Sequence, residues 1–372
     1  MSNIAIRLRD HMDSLVEQLR TSAPLALAQW DDDAVHDSRV ATRRIKAAMD
    51  LVEGAVDASR WKPFAKLGRK LRRRLGPLRD LDVMLAHLTE LQAGPSRDDA
   101  RSPHGRRAAR QRARLDEAVQ WVSERLHEQR RQVRSECGEV NVARVLSRLG
   151  DWWGIREEIA CASGHALAGK LAQSLRQQLE EFTDTAAALA MVRPPALAEE
   201  TPAVGEASSR AESPAPPPML ESTDPHALRI VGKRLRYTLE LAAAGGVAVP
   251  KPLFSTFKRL QGDLGSWHDY VVLHQRIVEL SLRRELACHN RELYGAVLEL
   301  SRVTWHEAQA HLRRFMARWR RVGPGIRQRI VAKVVAPMQA LEQELSQTGE
   351  LEMRPPLPAL DAPRHGRESA GA

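Results

Sequence analysis

Histidine and permanent cations recur along this 372-residue chain at one spacing, twice. The first run is His36, Arg39, Arg43, Arg44 and Lys46, set among Val40 and Ile45. Each member has a counterpart 190 positions on: His226, Arg229, Lys233, Arg234 and Arg236, with Ile230 and Leu235 as the apolar partners. At about 100° per residue on a helix, positions 0, +3, +7, +8 and +10 fall within roughly half the circumference. Each run therefore predicts a helix with one histidine and four cations on a shared face. Such a face suits a polyanion, because arginine forks onto phosphate oxygens and rigid helices limit the entropy lost on binding. His36 and His226 fall in first turns, where free N–H groups and the helix dipole also favour an anion. A bound anion eases histidine protonation, so affinity is expected to increase as pH falls through the imidazole range.

A second basic segment follows each run. Residues 60–79 hold nine basic side chains and no acid, and here Lys66, Arg69, Lys70 and Arg73 extend the first cationic face. Lys258 and Arg259 extend the second. Gly68-Arg69-Lys70-Leu71 is answered by Phe257-Lys258-Arg259-Leu260, and Leu75-Gly76-Pro77-Leu78-Arg79-Asp80 by Leu264-Gly265-Ser266-Trp267-His268-Asp269. Gly262 stands where the first copy has Arg73, which thins the second face. Asp80 and Asp269 read either as ion-pair partners that orient the cations or as metal ligands. Neither has a second carboxylate beside it in both copies, which favours ion pairing.

The elements that must carry these residues are helical throughout. Ile4, Leu8, Met12, Leu15, Val16 and Leu19 form a helical stripe over 4–22, and Asp31 to Asp33 start a histidine helix at about 34–53. Helices are expected next over about 60–91 and 106–136, with a polar loop from Pro95 to Pro103 between them, and a short one at 140–153. The second half opens with a helix over 165–191, where Leu167, Leu171, Leu175 and Leu179 repeat every four residues. Asp224-Pro225 then supplies an N-cap and a first-turn proline for the second histidine helix, which ends at Gly245-Gly246. Helices over 252–284, 289–321 and 325–346 complete it. Between Arg193 and Ser222 the chain is rich in Pro, Ala, Glu and Ser, a composition that cannot bury enough apolar surface to fold. The organisation is thus a first repeat over 1–154 and a second over 155–347. The second is interrupted by a disordered linker at 193–222, and a disordered tail covers 348–372.

The formal charge is +10, with a sequence pI of about 10.0. Both low-complexity segments are net acidic, so the folded part is more basic still. That balance points to nucleic acid, an inorganic phosphate polymer or an acidic membrane surface. Cys137, Cys161 and Cys288 are isolated and read as reduced, buried thiols of a cytosolic protein. The N-terminal residues have no signal-type apolar core, and no run reaches the ~20 apolar residues of a membrane span. Glycine loops of the Walker type, zinc-spaced His or Cys, and Gly-x-Ser-x-Gly are all missing. No carboxylate pair suited to Mg²⁺ occurs in both copies, so no catalytic residue, metal or cofactor is expected. Trp152-Trp153 could stack bases; the other tryptophans read as core.

The doubled His-x-x-Arg helix, each followed by Leu-Gly-x-x-Arg/His-Asp, resembles the CHAD family of conserved-histidine α-helical domains. The resemblance covers nearly all the chain outside linker and tail. It implies an all-α fold: two pseudo-symmetric antiparallel helical bundles, of four-helix type, around a basic groove. It also implies a cytoplasmic, non-enzymatic binder of inorganic polyphosphate, recruited to polyphosphate granules and their proteins in bacteria. The CYTH catalytic module often fused to this family is not recognisable here, since its Glu-x-Glu-x-Lys motif is missing. The alternatives are a nucleic-acid-binding helical protein and a metal-dependent polyphosphate or triphosphate hydrolase. A scaffold role for the linker is compatible with the first reading.

Overall fold

Two aspartates start the two histidine helices in the same way. Asp31 accepts the Ala34 N–H at 2.8 Å and opens α2 (Asp32–Val52), which packs on α1 (Ile4–Ala28). Asp224 accepts the N–H groups of His226 at 2.8 Å and Ala227 at 3.3 Å. Pro225, whose missing N–H costs nothing in a first turn, begins α8 (Pro225–Ala244). That helix stops at Gly245-Gly246, where Gly246 takes φ +102°.

The computed structural model describes residues 4–92, 103–137, 141–191 and 224–352. The expected Pro95–Pro103 loop and the 193–222 segment lie largely or wholly outside the described residues; of the tail expected over 348–372, residues 348–352 are instead the end of the last helix and 353–372 lie outside the described residues. Between the histidine helices run α3 (Ala58–Gln92), α4 (Pro103–Cys137), α5 (Val142–Gly150), a 3-10 turn, α6 (Arg156–Ala160) and α7 (Gly164–Met191). After them come α9 (Lys251–Ser281), α10 (Arg284–His289), α11 (Arg291–Ile330), one π-helical turn and α12 (Ala336–Glu352). The protein is all-α, and the described residues contain no strand.

Two expectations are corrected. Separate helices over 289–321 and 325–346 are instead one helix running through Gly323-Pro324-Gly325, with the irregular turn displaced to residues 331–335. Trp319 lies over Gly323, where a Cβ would sit 2.7 Å from indole carbons, and meets Phe182 edge-on at 5.6 Å. Packing of the buried indole on the bare glycine carries the helix past a proline that local propensity reads as a stop. The cysteines, expected to be buried, stand at or near helix ends, with Cys161 and Cys288 exposed and Cys137 half-buried.

Apolar residues gather into two cores, and both halves of the chain feed each. The larger joins α1, α2 and the first part of α3 to α7, α8, the first part of α9 and the last part of α11. The smaller joins Leu81, Met84 and Leu88 of α3 to Val119, Val122 and Leu126 of α4, the rest of α9 and the start of α11. The long helices α3, α9 and α11 thus pass from one core to the other. Corresponding elements also touch: α1 with α7, α2 with α8, and α3 with α9.

Candidate polyanion-binding site

α2 and α3 are neighbours in the first half, and α8 and α9 in the second; α2 also touches α8. Arg39 on α2 reaches across to α3, where its Nη1 donates to the Arg72 carbonyl at 3.0 Å and its Nη2 lies 3.9 Å from Asp80. Gly76 makes room, since a Cβ there would stand 2.9 Å from Arg39 Nη1. Arg72 returns the contact, donating to the Thr42 carbonyl at 2.6 Å. On α8, Arg229 lies 3.5 Å from Asp269, which is also 3.4 Å from His268 Nδ1, and His268 stacks on His226 at 5.1 Å. Arg39–Asp80 and Arg229–Asp269 are the same pair in the two copies. Both aspartates serve as ion-pair partners.

The two rows act on each other. Burial, then the neighbouring charges of Arg229 and Arg43, bring the Lys233 ammonium down to about 7, with Asp269 opposing. Burial also lowers the Arg229 pKa; Asp269 and Asp80 work against that, and Arg43 reinforces it. Arg43 and Asp80 belong to the first half, Arg229 and Lys233 to the second. His36 is lowered by burial and then by Arg79 and Arg43, and His226 by burial and then by His268. For Asp269, burial pushes upward, but the His268 hydrogen bond and Arg229 prevail and hold it below the ordinary carboxylate value. The centre therefore holds cations that are partly removed from water and near one another, and an incoming anion favours their charged forms.

Six of the expected residues meet here: His36, Arg39, Arg43, His226, Arg229 and Lys233. Others are held elsewhere. Arg44 donates to Glu240 of α8 at 2.8 Å, and Arg236 approaches the same carboxylate at 3.5 Å. Arg234 turns to Glu181 of α7 at 2.9 Å, and Lys46 pairs with Asp50 at 2.5 Å. Lys46, Lys66, Arg69 and Lys70 line a cavity between α2, α3 and α5, while Arg73 is exposed on α3. Lys258 and Arg259 line a smaller pocket beside the Asp263–Arg318 pair. Trp152 is wholly buried and donates to Asp13, so it stacks no base.

Arg72, Arg79 and His268 are missing from the sequence-derived site. Their signal was present, since Arg72, Gly76 and Arg79 fall on one helical face and a glycine between cations marks a close approach. His268 occupies the position in the second copy that Arg79 holds in the first.

The family model for the CHAD domain matches residues 10–278. Among solved structures, the crystal structure of the CHAD domain from the plant Ricinus communis is similar at TM-score 0.50 and 19% identity, covering 84% of this chain and 91% of that one. PptA from Streptomyces chartreusis is similar at TM-score 0.46 and 19% identity, over 83% of this chain and 99% of that one. No curated protein matches the chain. No helix among the described residues is long and apolar enough to cross a membrane.

Proposed function

The chain belongs to the CHAD domain family, and from that premise we propose that it binds inorganic polyphosphate along its paired histidine helices without turning the polymer over. One observation carries the reading: Arg229 and Lys233 of the second row are lowered chiefly by burial, and Arg43 of the first row lies close enough to lower both further. Cations held away from water and near one another are costly in the free protein, and a ligand with one negative charge per unit offsets that cost along the row. His36, Arg39, Arg43, His226, Arg229 and Lys233 grip the polymer at the centre, with Arg72, Arg79 and His268 beside them. Arg69 and Arg73 extend the first face along α3, and Lys258 and Arg259 extend the second. The contacts of α1 with α7, α2 with α8 and α3 with α9 support a pseudo-twofold relation between repeats 1–154 and 155–347, with a basic groove between the two rows. Residence in the cytoplasm at polyphosphate granules, beside granule proteins, follows from the same reading.

The test is a titration of the full chain with long-chain polyphosphate at two salt concentrations, with duplex DNA and RNA as competitors. Expected are tight binding that nucleic acid does not displace at equal phosphate concentration, and a loss of at least about tenfold in Arg43→Gln/Lys233→Gln. Equal displacement by DNA or RNA would replace this reading with a nucleic-acid-binding one. Metal-dependent phosphate release during the titration would establish a hydrolase.

A further inference from the structure

A cavity of about 1120 Å³ opens between the end of α2, the start of α3 and α5. Arg39, Arg43, Arg229 and Lys233 are not among its lining residues. Arg72, beside that central cluster, and Arg69, on the first polymer face, do line it, so the cavity adjoins the cluster and is told apart from it by its other walls. Lys62, Lys66 and Lys70 line it from α3 at four-residue intervals, and Arg144 and Arg148 from α5 at the same interval. Residues four apart share a helical face, so two cationic rows look across one opening. All five side chains belong to exposed residues. The lining acids are Asp50, already paired with Lys46, and Glu53. Beyond the lining, Glu158 is engaged by Arg60 and Asp13 by Arg156.

Apolar surface lies between the rows. Trp61 and Leu67 are half-buried and line the same space, backed by the buried Val145 of α5. An inorganic phosphate chain has nothing to place against an indole. A ligand with a planar body and a polyanionic tail uses both walls, since aromatic stacking on tryptophan is worth roughly 1–3 kcal/mol per base. The volume matches or slightly exceeds the roughly 300–1,000 Å³ of small-molecule sites. We propose that this cavity binds a nucleoside polyphosphate, with the base against Trp61 and the phosphates between Lys66, Lys70, Arg144 and Arg148. The corresponding stretch of α9 in the second half is built differently. There Lys258 and Arg259 line a space of about 430 Å³ whose other residues, Ser255, Gly262, Asp263 and Arg318, include no aromatic ring. One site per chain is expected. The inference does not depend on the polymer reading.

The experiment titrates the full chain with ATP, inorganic triphosphate and adenosine, followed by calorimetry and tryptophan fluorescence. One ATP per chain is expected, at least tenfold tighter than triphosphate, with adenosine weaker than either. Arg144→Ser with Arg148→Ser, both on exposed positions, lowers ATP affinity at least tenfold and leaves long-chain polyphosphate affinity within about threefold. Trp61→Leu keeps apolar bulk but removes the stacking plane, and lowers ATP affinity at least fivefold with triphosphate affinity unchanged. Triphosphate binding as tightly as ATP would overturn the proposal, reducing the cavity to an anionic-ligand surface. Absence of ATP binding at millimolar concentration would overturn it too. So would loss of ATP affinity in Arg43→Gln/Lys233→Gln instead of in the α5 variant, which would place ATP in the central cluster.

Discussion

Arg44 of the first histidine helix and Glu240 of the second form a hydrogen-bonded ion pair, with Nε to Oε2 at 2.8 Å and Nη2 to Oε1 at 3.4 Å. The same carboxylate lies 3.5 Å from Arg236. Glu240 therefore ties one cation from each copy, and it meets Arg44 across 196 positions of sequence. The corresponding arginine of the second copy, Arg234, turns instead to Glu181 of α7. The two repeats place one residue type in two different jobs.

Different effects on binding are expected from the two ends of that pair. Arg44→Met removes a cation whose charge is already spent, so polyphosphate affinity stays within about twofold while stability falls by about 1 kcal/mol. Glu240→Gln costs a similar amount of stability but frees both arginines, and affinity rises severalfold. Thermal denaturation and polymer titration on the two variants check the shared loss of stability and the rise in affinity confined to Glu240→Gln.

The Lys233 ammonium, at about 7 in the folded protein, has an ordinary value of 10.5. Between those values the unfolded chain holds a proton that the folded one lacks. Folding stability from this group is therefore undiminished above about pH 10.5 and falls as pH drops towards 7, below which the loss is constant. Lys233→Met removes that loss, so its melting temperature exceeds that of the parent at pH 7. Polymer binding has the reverse preference, because a polyanion draws protons onto Lys233, His36 and His226. Affinity is expected to rise from pH 8 to pH 6. Calorimetry in buffers of different ionisation enthalpy will register net proton uptake, and Lys233→Met will show less of it.

Gly76 offers a test that separates binding from helix formation. Alanine there improves intrinsic helix propensity by roughly 1 kcal/mol. Its Cβ would also meet Arg39 Nη1 at 2.9 Å and push the guanidinium from its seat against the Arg72 carbonyl. Gly76→Ala is expected to retain full helicity by circular dichroism while losing about three- to tenfold in polymer affinity. Gly265, its counterpart beside Asp269, has open space around a Cβ, so Gly265→Ala leaves affinity unchanged.

Much of this was legible because it is local. Asp31 and Asp224 as caps, the 190-residue offset of the histidine helices and the face shared by Arg39 and Arg43 all follow from residue type and helical period. What an apolar stripe packs against does not. The periodicity of α9 marks a buried face, but nothing in it says that Leu260 joins one core and Leu273 the other. Glu240 could not be assigned to Arg44 before α2 and α8 were known to touch. Arg144 and Arg148 joined the cationic residues of α3 only once α5 was seated beside it. The passage of α11 through Gly323-Pro324 needed the Trp319 indole, a tertiary contact that overrides a local stop signal.

Asp80 and Asp269 decide between a charge-paired and a metal-assisted reading of the centre. Each faces an arginine of its own copy, at 3.9 Å and 3.5 Å. Among the described residues no group of three His, Cys, Asp or Glu side chains is placed to hold a metal ion. On the proposed reading cations hold the polymer directly, and EDTA is expected to leave polyphosphate affinity unchanged. Asp269→Asn removes one negative charge from beside Arg229 and releases His268. Affinity should rise at low salt, and the slope of log affinity against log salt should steepen by roughly one unit, as for one further counterion released. A metal bridge would give the contrary pair of results, with affinity lost both on chelation and in Asp269→Asn.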